Sequence, residues 1–171
     1  MALRRILYKG DPALRKKSRE ITEFGPRLHE LLDDMKETMR SVNGVGLAAP
    51  QVGVLRRAVI VADTTDSEAE DPVIIEFINP EIVKSEGEQE GYEGCLSIPG
   101  QYGFVKRPMC VKVRAFDRHG KRFEISREEF LARALCHEVD HLNGRLYIDL
   151  TDQVMSIEEF EAMQEKDEES K

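Results

Sequence analysis

Residues 137 to 141 read His137-Glu138-Val139-Asp140-His141. Two imidazoles four residues apart share one face of a helix, one turn from each other, so a ring nitrogen of each can converge on a single metal ion with Glu138 beside them as a proton acceptor. A catalytic metal needs at least one more protein ligand and a position left for water. Three cysteines compete for that role. Cys136 adjoins His137 and so points about 100° away around the helix. Cys110 begins an alternating segment and shares a face with Lys112 and Arg114, which suits a structural or exposed thiol. Cys95 follows Gly94 and precedes Leu96-Ser97-Ile98-Pro99, where the glycine permits close backbone approach and the proline stiffens the exit. Chemistry alone leaves Cys95 an open choice.

The elements that must carry these groups have their own signals. Ser126 and Glu129 form a capping box ahead of Phe130, Leu131, Ala134, Leu135 and Leu142, which recur at three- and four-residue steps until Asn143-Gly144 stops the helix. Far upstream, Asp11-Pro12-Ala13-Leu14-Arg15 reads as a capped turn. From Pro26, the residues Leu28, Leu31, Leu32, Met35, Met39 and Val42 mark an amphipathic helix that ends at Asn43-Gly44, with its methionines as core filler. Leu55 to Ala62, Pro72 to Asn79 and Glu81 to Ser85 read as strands, with a polar loop from Thr64 to Asp71. Met109 to Asp117 alternates, with Val111, Val113 and Ala115 on one face, and Asp117-Arg118-His119-Gly120 turns it back into Phe123 and Ile125. Beyond Gly144 the chain offers a short extended piece, Leu146 to Leu150, and a last helix, Ser156 to Gln164, capped by Ser156 and Glu159. The pattern predicts an α+β fold: short antiparallel strands packed around a central helix carrying HExxH, with an N-terminal amphipathic helix and a C-terminal helix. One core is expected, without a second domain, with a C-terminal helix and acidic tail at the chain's end.

Composition narrows the function. At 40% hydrophobic and 34% charged residues the chain reads as an ordinary soluble globular protein, and no apolar run approaches the ~20 residues of a membrane span. An odd number of cysteines without a CxxC pair argues for a reducing compartment, and the N-terminus lacks the long apolar stretch of a secretory signal; the expected location is the cytoplasm. Of the net charge of −8, residues 158 to 171 supply −5, from seven acidic and two basic groups. The near-neutral remainder lacks a basic face, so nucleic acid is not an expected partner; with no long apolar run a membrane is not either, and the tail reads as a solvated helix end and a disordered stub.

One stretch, Gly44-Val45-Gly46-Leu47-Ala48-Ala49-Pro50-Gln51, has no clear period and too many small residues for a packing stripe. Together with Glu93-Gly94-Cys95-Leu96-Ser97 and His137-Glu138-Val139-Asp140-His141 it resembles the three motifs of the peptide deformylase family, in order and at similar spacing. The motifs cover eighteen residues, and the stretches between them are similar to the family over nearly all of the first 150 residues. The resemblance implies one divalent metal, Fe²⁺ natively with Zn²⁺, Ni²⁺ or Co²⁺ as substitutes, held by Cys95, His137 and His141, with water in the remaining position. It implies hydrolysis of the N-formyl group of formyl-methionine on newly synthesised peptides, with Glu138 as general base and then acid. The backbone N–H of Leu96 and the side-chain amide of Gln51 are the implied oxyanion donors. The peptide is expected to pair with main chain near Val45, Gly46 and Gly94, the glycines removing side chains where it must approach. Work on nascent chains implies transient proximity to the ribosome.

Two departures stand out. Tyr102 occupies a place where many members carry Arg, with Arg107 close by, and the tail is acidic where some members are basic. Two other readings compete. In an HExxH metalloprotease the extended motif would place its third His where Tyr147 stands, or draw a downstream ligand such as Glu161 from the tail. A structural Cys/His module would need a fourth protein ligand and would leave Glu138 idle. His29 and His119 read as surface residues. Because the three ligands bind only when deprotonated, metal occupancy measured after equilibrium dialysis is expected to fall below about pH 5 to 6, and full occupancy at pH 4 would exclude this ligand set.

Overall fold

The computed structural model describes residues 2–171. Its strands form two antiparallel sheets. The first has five strands in the order β1 (Gly46–Ala48), β2 (Ala58–Ala62), β3 (Ile74–Glu86), β6 (Cys110–Phe116) and β7 (Arg122–Glu128). The second has three, β4 (Gln89–Cys95), β5 (Ile98–Arg107) and β8 (Val154–Ser156). Three α-helices accompany them: α1 (Pro26–Ser41), α2 (Glu129–Leu142) and α3 (Ile157–Glu169).

The five-stranded sheet is covered on both faces, and β2 shows why the chain allows it. Its sequence Ala-Val-Ile-Val-Ala is apolar at every position, so each face of the strand can enter a core. Ala58, Ile60 and Ala62 meet Leu28, Leu31, Leu32, Met35 and Met39 of α1. Val59 and Val61, with Val111, Val113 and Ala115 of β6, meet Leu131, Ala132, Leu135, Cys136 and Leu142 of α2. Burying each large aliphatic side chain in these layers contributes about 1.5–3 kcal/mol. A third cluster, Ile98, Val105, Leu146 and Tyr147, lies under the small sheet. Arg133 and His137 of α2 reach the other way, to Gly91, Glu93 and Val105 of β4 and β5.

Several local expectations are corrected. Ser126 caps nothing: it is inside β7, paired with Lys112, and α2 starts at Glu129 from an N-cap, Glu128, without a side-chain hydrogen bond. Phe130 and Val42, counted with the apolar stripes, are 53% and 43% exposed because each lies at the end of its helix, past the packing layer. The two strands expected either side of Pro80 are one, β3, with a register shift between Ile78 and Glu81. Asn79 makes that break possible by adopting φ 50°. Its side chain also accepts from the Ile21 N–H and donates to the Ile21 carbonyl, both at 2.8 Å. Residues 147–149 form a 3-10 turn rather than an extended piece. The acidic tail is helical to Glu169 instead of ending in a disordered stub, with Ser156 Oγ accepting from the Glu159 N–H at 3.2 Å. The β4–β5 hairpin had no counterpart in the expected strands, since Glu86 to Gly94 carries few apolar residues to alternate.

Charge ties α1 to the far end of the sheet. Glu76 on β3 accepts from Arg118 Nε at 3.0 Å and pairs with Lys36 Nζ at 2.7 Å, while Arg118 also donates to Asp33 at 2.8 Å. Burial acts to raise the Glu76 carboxyl, but Arg118 and Lys36 outweigh it and hold it below its ordinary value. A carboxylate lowered in the folded state contributes stability that is present above its unfolded pKa and lost as pH falls through the folded one. In urea titrations, the wild type should therefore lose more stability than Glu76→Gln as pH drops below 4.5, the ordinary glutamate value. Parallel curves for the two proteins would contradict this role.

Candidate metal centre

Each piece of the centre has a local cause. The tight connection between β4 and β5 is Leu96-Ser97, which pairs Cys95 with Ile98 and sets Cys95 at the end of β4. On α2, His137 and His141 lie one turn apart with ring centroids 5.0 Å from each other. The Nε2 atoms of the two rings are 3.3 Å apart, and Cys95 Sγ lies 3.4 Å from His141 Nε2. One donor atom from each of Cys95, His137 and His141 lies within 4.8 Å of the others, the one such cluster among the described residues. Cys136 is packed in the core, where burial raises its thiol to about 11, and Cys110 sits on β6 opposite Glu128. The structure thus brings Cys95 to the histidines and leaves the other two thiols elsewhere.

A thiol and two imidazoles crowded at these distances, none with another partner on the facing atom except the Gln51 amide, fit a divalent transition-metal ion. The imidazole orientations support the fit. His137 Nδ1–H donates to Glu93 Oε1 at 2.9 Å, which fixes the tautomer and leaves the Nε2 lone pair facing Cys95 and His141. Glu93 is in turn gripped by Arg107, with Nε to Oε2 at 2.8 Å and Nη2 to Oε1 at 2.9 Å, and by Arg133 Nη1 at 2.7 Å. Burial acts to raise the Glu93 carboxyl, yet hydrogen bonds and charge from Arg107 and His137 hold it at about 2. Arg107 also donates to Asp140, the fourth residue of HEVDH, at 2.7 Å. Burial opposes charge on both imidazoles and pushes His141 down, whereas Cys95 and Glu93 raise His137, favouring on its Nε2 a proton that a bound ion would displace.

Glu138 is 5% exposed, its Oε2 has no hydrogen-bond partner, and burial raises its carboxyl to about 7. Its room is made by Gly46, where a Cβ would lie 2.6 Å from Glu138 Oε1. The absent side chain at Gly46 therefore serves the carboxylate directly. Gln51 is pinned: its Oε1 accepts from the Ala48 N–H at 2.9 Å, and its Nε2 donates to Ser97 Oγ at 3.1 Å and toward Cys95 Sγ at 3.6 Å. The N-terminal segment fastens both partners, through Leu7 N–H to the Gln51 carbonyl at 2.7 Å and Lys9 N–H to the Ser97 carbonyl at 2.8 Å. Tyr147, where a metalloprotease motif would place a third histidine, stacks on His137 at 6.1 Å.

A cavity of about 370 Å³ opens beside these groups, lined by Gly46, Gln51, Gly94, Leu96, His137 and Glu138. Val45 belongs to the same wall, and Tyr92, Tyr102 and Phe130 stand around it. Both β1 and β4 are outermost strands of their sheets. All nine residues singled out in the sequence thus converge on one region. The residues missed were those behind it: Glu93 as the partner of His137, with Arg107, Arg133 and Asp140. Glu93 carried a usable signal, since two residues before Cys95 on an extended strand is the same face.

The polypeptide deformylase family model matches residues 3–156. The chain is 56% identical over 149 residues to the peptide deformylase of Alkaliphilus metalliredigens, covering 87% of this chain and 97% of that protein. A crystal structure of a peptide deformylase from Legionella pneumophila superposes with a TM-score of 0.82 at 46% identity, covering 88% of this chain and 87% of that one. A Met-Ala-Ser-bound class I type b peptide deformylase from Acinetobacter baumannii gives 0.80 at 34% identity, over 88% and 99% of the two chains. With a match that spans both sheets, α1 and α2, this chain belongs to the peptide deformylase family.

Proposed function

We propose that this protein removes the formyl group from the N-terminal formyl-methionine of newly synthesised peptides, releasing formate and a free amine. The observation that carries the reading is the approach of Cys95, His137 and His141 to within 4.8 Å of one another beside a buried, unpartnered Glu138 carboxylate. These three residues would hold one divalent ion, which when bound supplies Lewis-acid activation of water and of the formyl carbonyl. Iron(II) is the native ion in this reading, and zinc, nickel or cobalt suit the same thiolate–imidazole set.

The chain's own groups do the rest. The peptide enters between the outer edges of β1 and β4 and pairs with main chain at Val45, Gly46 and Gly94, as an added strand would. Gln51, held from three sides, and the Leu96 N–H stand as oxyanion donors whose positions require no reorganisation when charge develops. Glu138 accepts the proton of the attacking water and returns it to the leaving amine nitrogen as the C–N bond breaks. A carboxyl raised by burial to about 7 is suited to both directions of transfer. Glu93 keeps His137 in the tautomer that presents Nε2. In this reading residues 1–150 are one catalytic domain with α2 at its centre, 151–171 are an appended helix and acidic tail, and the protein works in the cytoplasm near the ribosome.

Protein loaded anaerobically with iron should release formate from formyl-Met-Ala-Ser, and a chelated sample should not. Glu138→Ala should keep its metal, read by elemental analysis, and lose at least about a hundredfold in turnover; an active variant would remove this mechanism. Glu93→Gln should weaken metal affinity about 10- to 100-fold, read by competition with a chromogenic chelator, because His137 loses its anionic partner. Unchanged affinity would show that Glu93 serves packing alone.

A further inference from the structure

The C-terminal helix touches the body at a telling place. On α3, Phe160 stacks on Tyr102 with ring centroids 4.4 Å apart and planes at 26°. The same ring meets Tyr92 edge-on at 5.2 Å, and Tyr92 Oη–H donates to Met163 Sδ at 3.3 Å. Residues 160 and 163 share one helix face and are half-buried, and no residue of α3 is fully buried. Tyr92 and Tyr102 both line the cavity beside the metal centre. Tyr102 also lies over Gly94, where a Cβ would come within 2.9 Å of its ring. The link is short, because Tyr102 of β5 pairs with Met155 of β8 and Ser156 then caps α3.

We propose that Phe160 is a positioning residue for peptide binding: by stacking on Tyr102 and bracing Tyr92 it makes α3 the brace behind the cleft's outer wall, and that wall, built of the two tyrosines, grips the residues that follow formyl-methionine. This rests on the deformylase reading of the site. The physical reason is preorganisation. Tyr102 stands on a strand at the cleft's edge with the Phe160 ring stacked on it, so losing that ring leaves the wall to be ordered each time a peptide binds. The innermost groups, Glu138, Gln51 and the three candidate ligands, have no contact with α3 among the hydrogen bonds and ring pairs described, so the bond-breaking step should not sense the change.

The test compares the full iron-loaded chain and its Phe160→Ala, Phe160→Tyr and Tyr102→Leu variants on formyl-Met-Ala-Ser and on formyl-methionine alone. For Phe160→Ala, KM for the tripeptide should rise about three- to tenfold with kcat within about twofold, and kinetics on formyl-methionine should not change. Phe160→Tyr should restore the wild-type KM, and Phe160→Ala should add clearly less in a Tyr102→Leu background than in the wild type, since the stacked pair is coupled while the Tyr92 contact persists. An unchanged tripeptide KM, an equal loss on both substrates, or additive effects would each overturn the proposal. A wild-type protein that releases no formate would instead sink the deformylase reading. Binding of the product Met-Ala-Ser by calorimetry then still tests the wall: about three- to tenfold weaker binding by Phe160→Ala upholds it and equal binding overturns it.

Discussion

The buried carboxylate of Glu93 is the interaction on which the rest of the centre depends. An isolated ionised group in such a place would be several kcal/mol out of balance, so it persists only with charge and hydrogen bonds on both oxygens. Arg107 and Arg133 supply them, and His137 Nδ1–H takes the remaining acceptor direction. The consequence is mechanical as well as electrostatic. Glu93 and Arg107 belong to the small sheet, whereas Arg133, His137 and Asp140 belong to α2, so one network welds the strand that carries Cys95 to the helix that carries the histidines. That network sets the separations of a sulfur and two imidazoles drawn from distant parts of the chain.

Around that weld the two sheets leave their outer strands, β1 and β4, facing a common cavity. Exposed strand edges are ordinarily a hazard, because they invite pairing with other chains. Here both edges are glycine-bearing, and they border the site where an extended peptide is proposed to bind. Gly46 is the sharpest case, since the space its side chain would fill belongs to the Glu138 carboxylate. Any larger residue there would displace the general base of the proposed reaction before it touched a substrate.

Much of this was legible in the sequence. The five-residue HEVDH run states its own geometry through helical spacing, and the apolar steps from Leu28 to Met39 correspond to the buried face of α1. The alternation of Val111, Val113 and Ala115 marks the strand they form. These signals are local and periodic, and they survive because the packing beneath them is regular. The cap at Ser126 misled for the opposite reason: β7 continues through it, and cross-strand pairing with Lys112 outweighs a capping preference. The β4–β5 hairpin was hidden because its glutamates and glycines, poor strand formers, are held by long-range partners.

By themselves, the residues determined the chemistry that was available: two imidazoles on one helical turn, a carboxylate between them, three thiols to choose from and glycines where a backbone must pass. Only the tertiary structure decided which thiol joins the histidines, which acid orients His137, and that an acidic tail helix lies against two tyrosines of the cleft. The reason is physical. Residue type and periodicity set what a segment can do within a turn or two, but the meeting of groups forty residues or more apart is fixed by how sheets and helices pack, and by where a buried charge finds its partners.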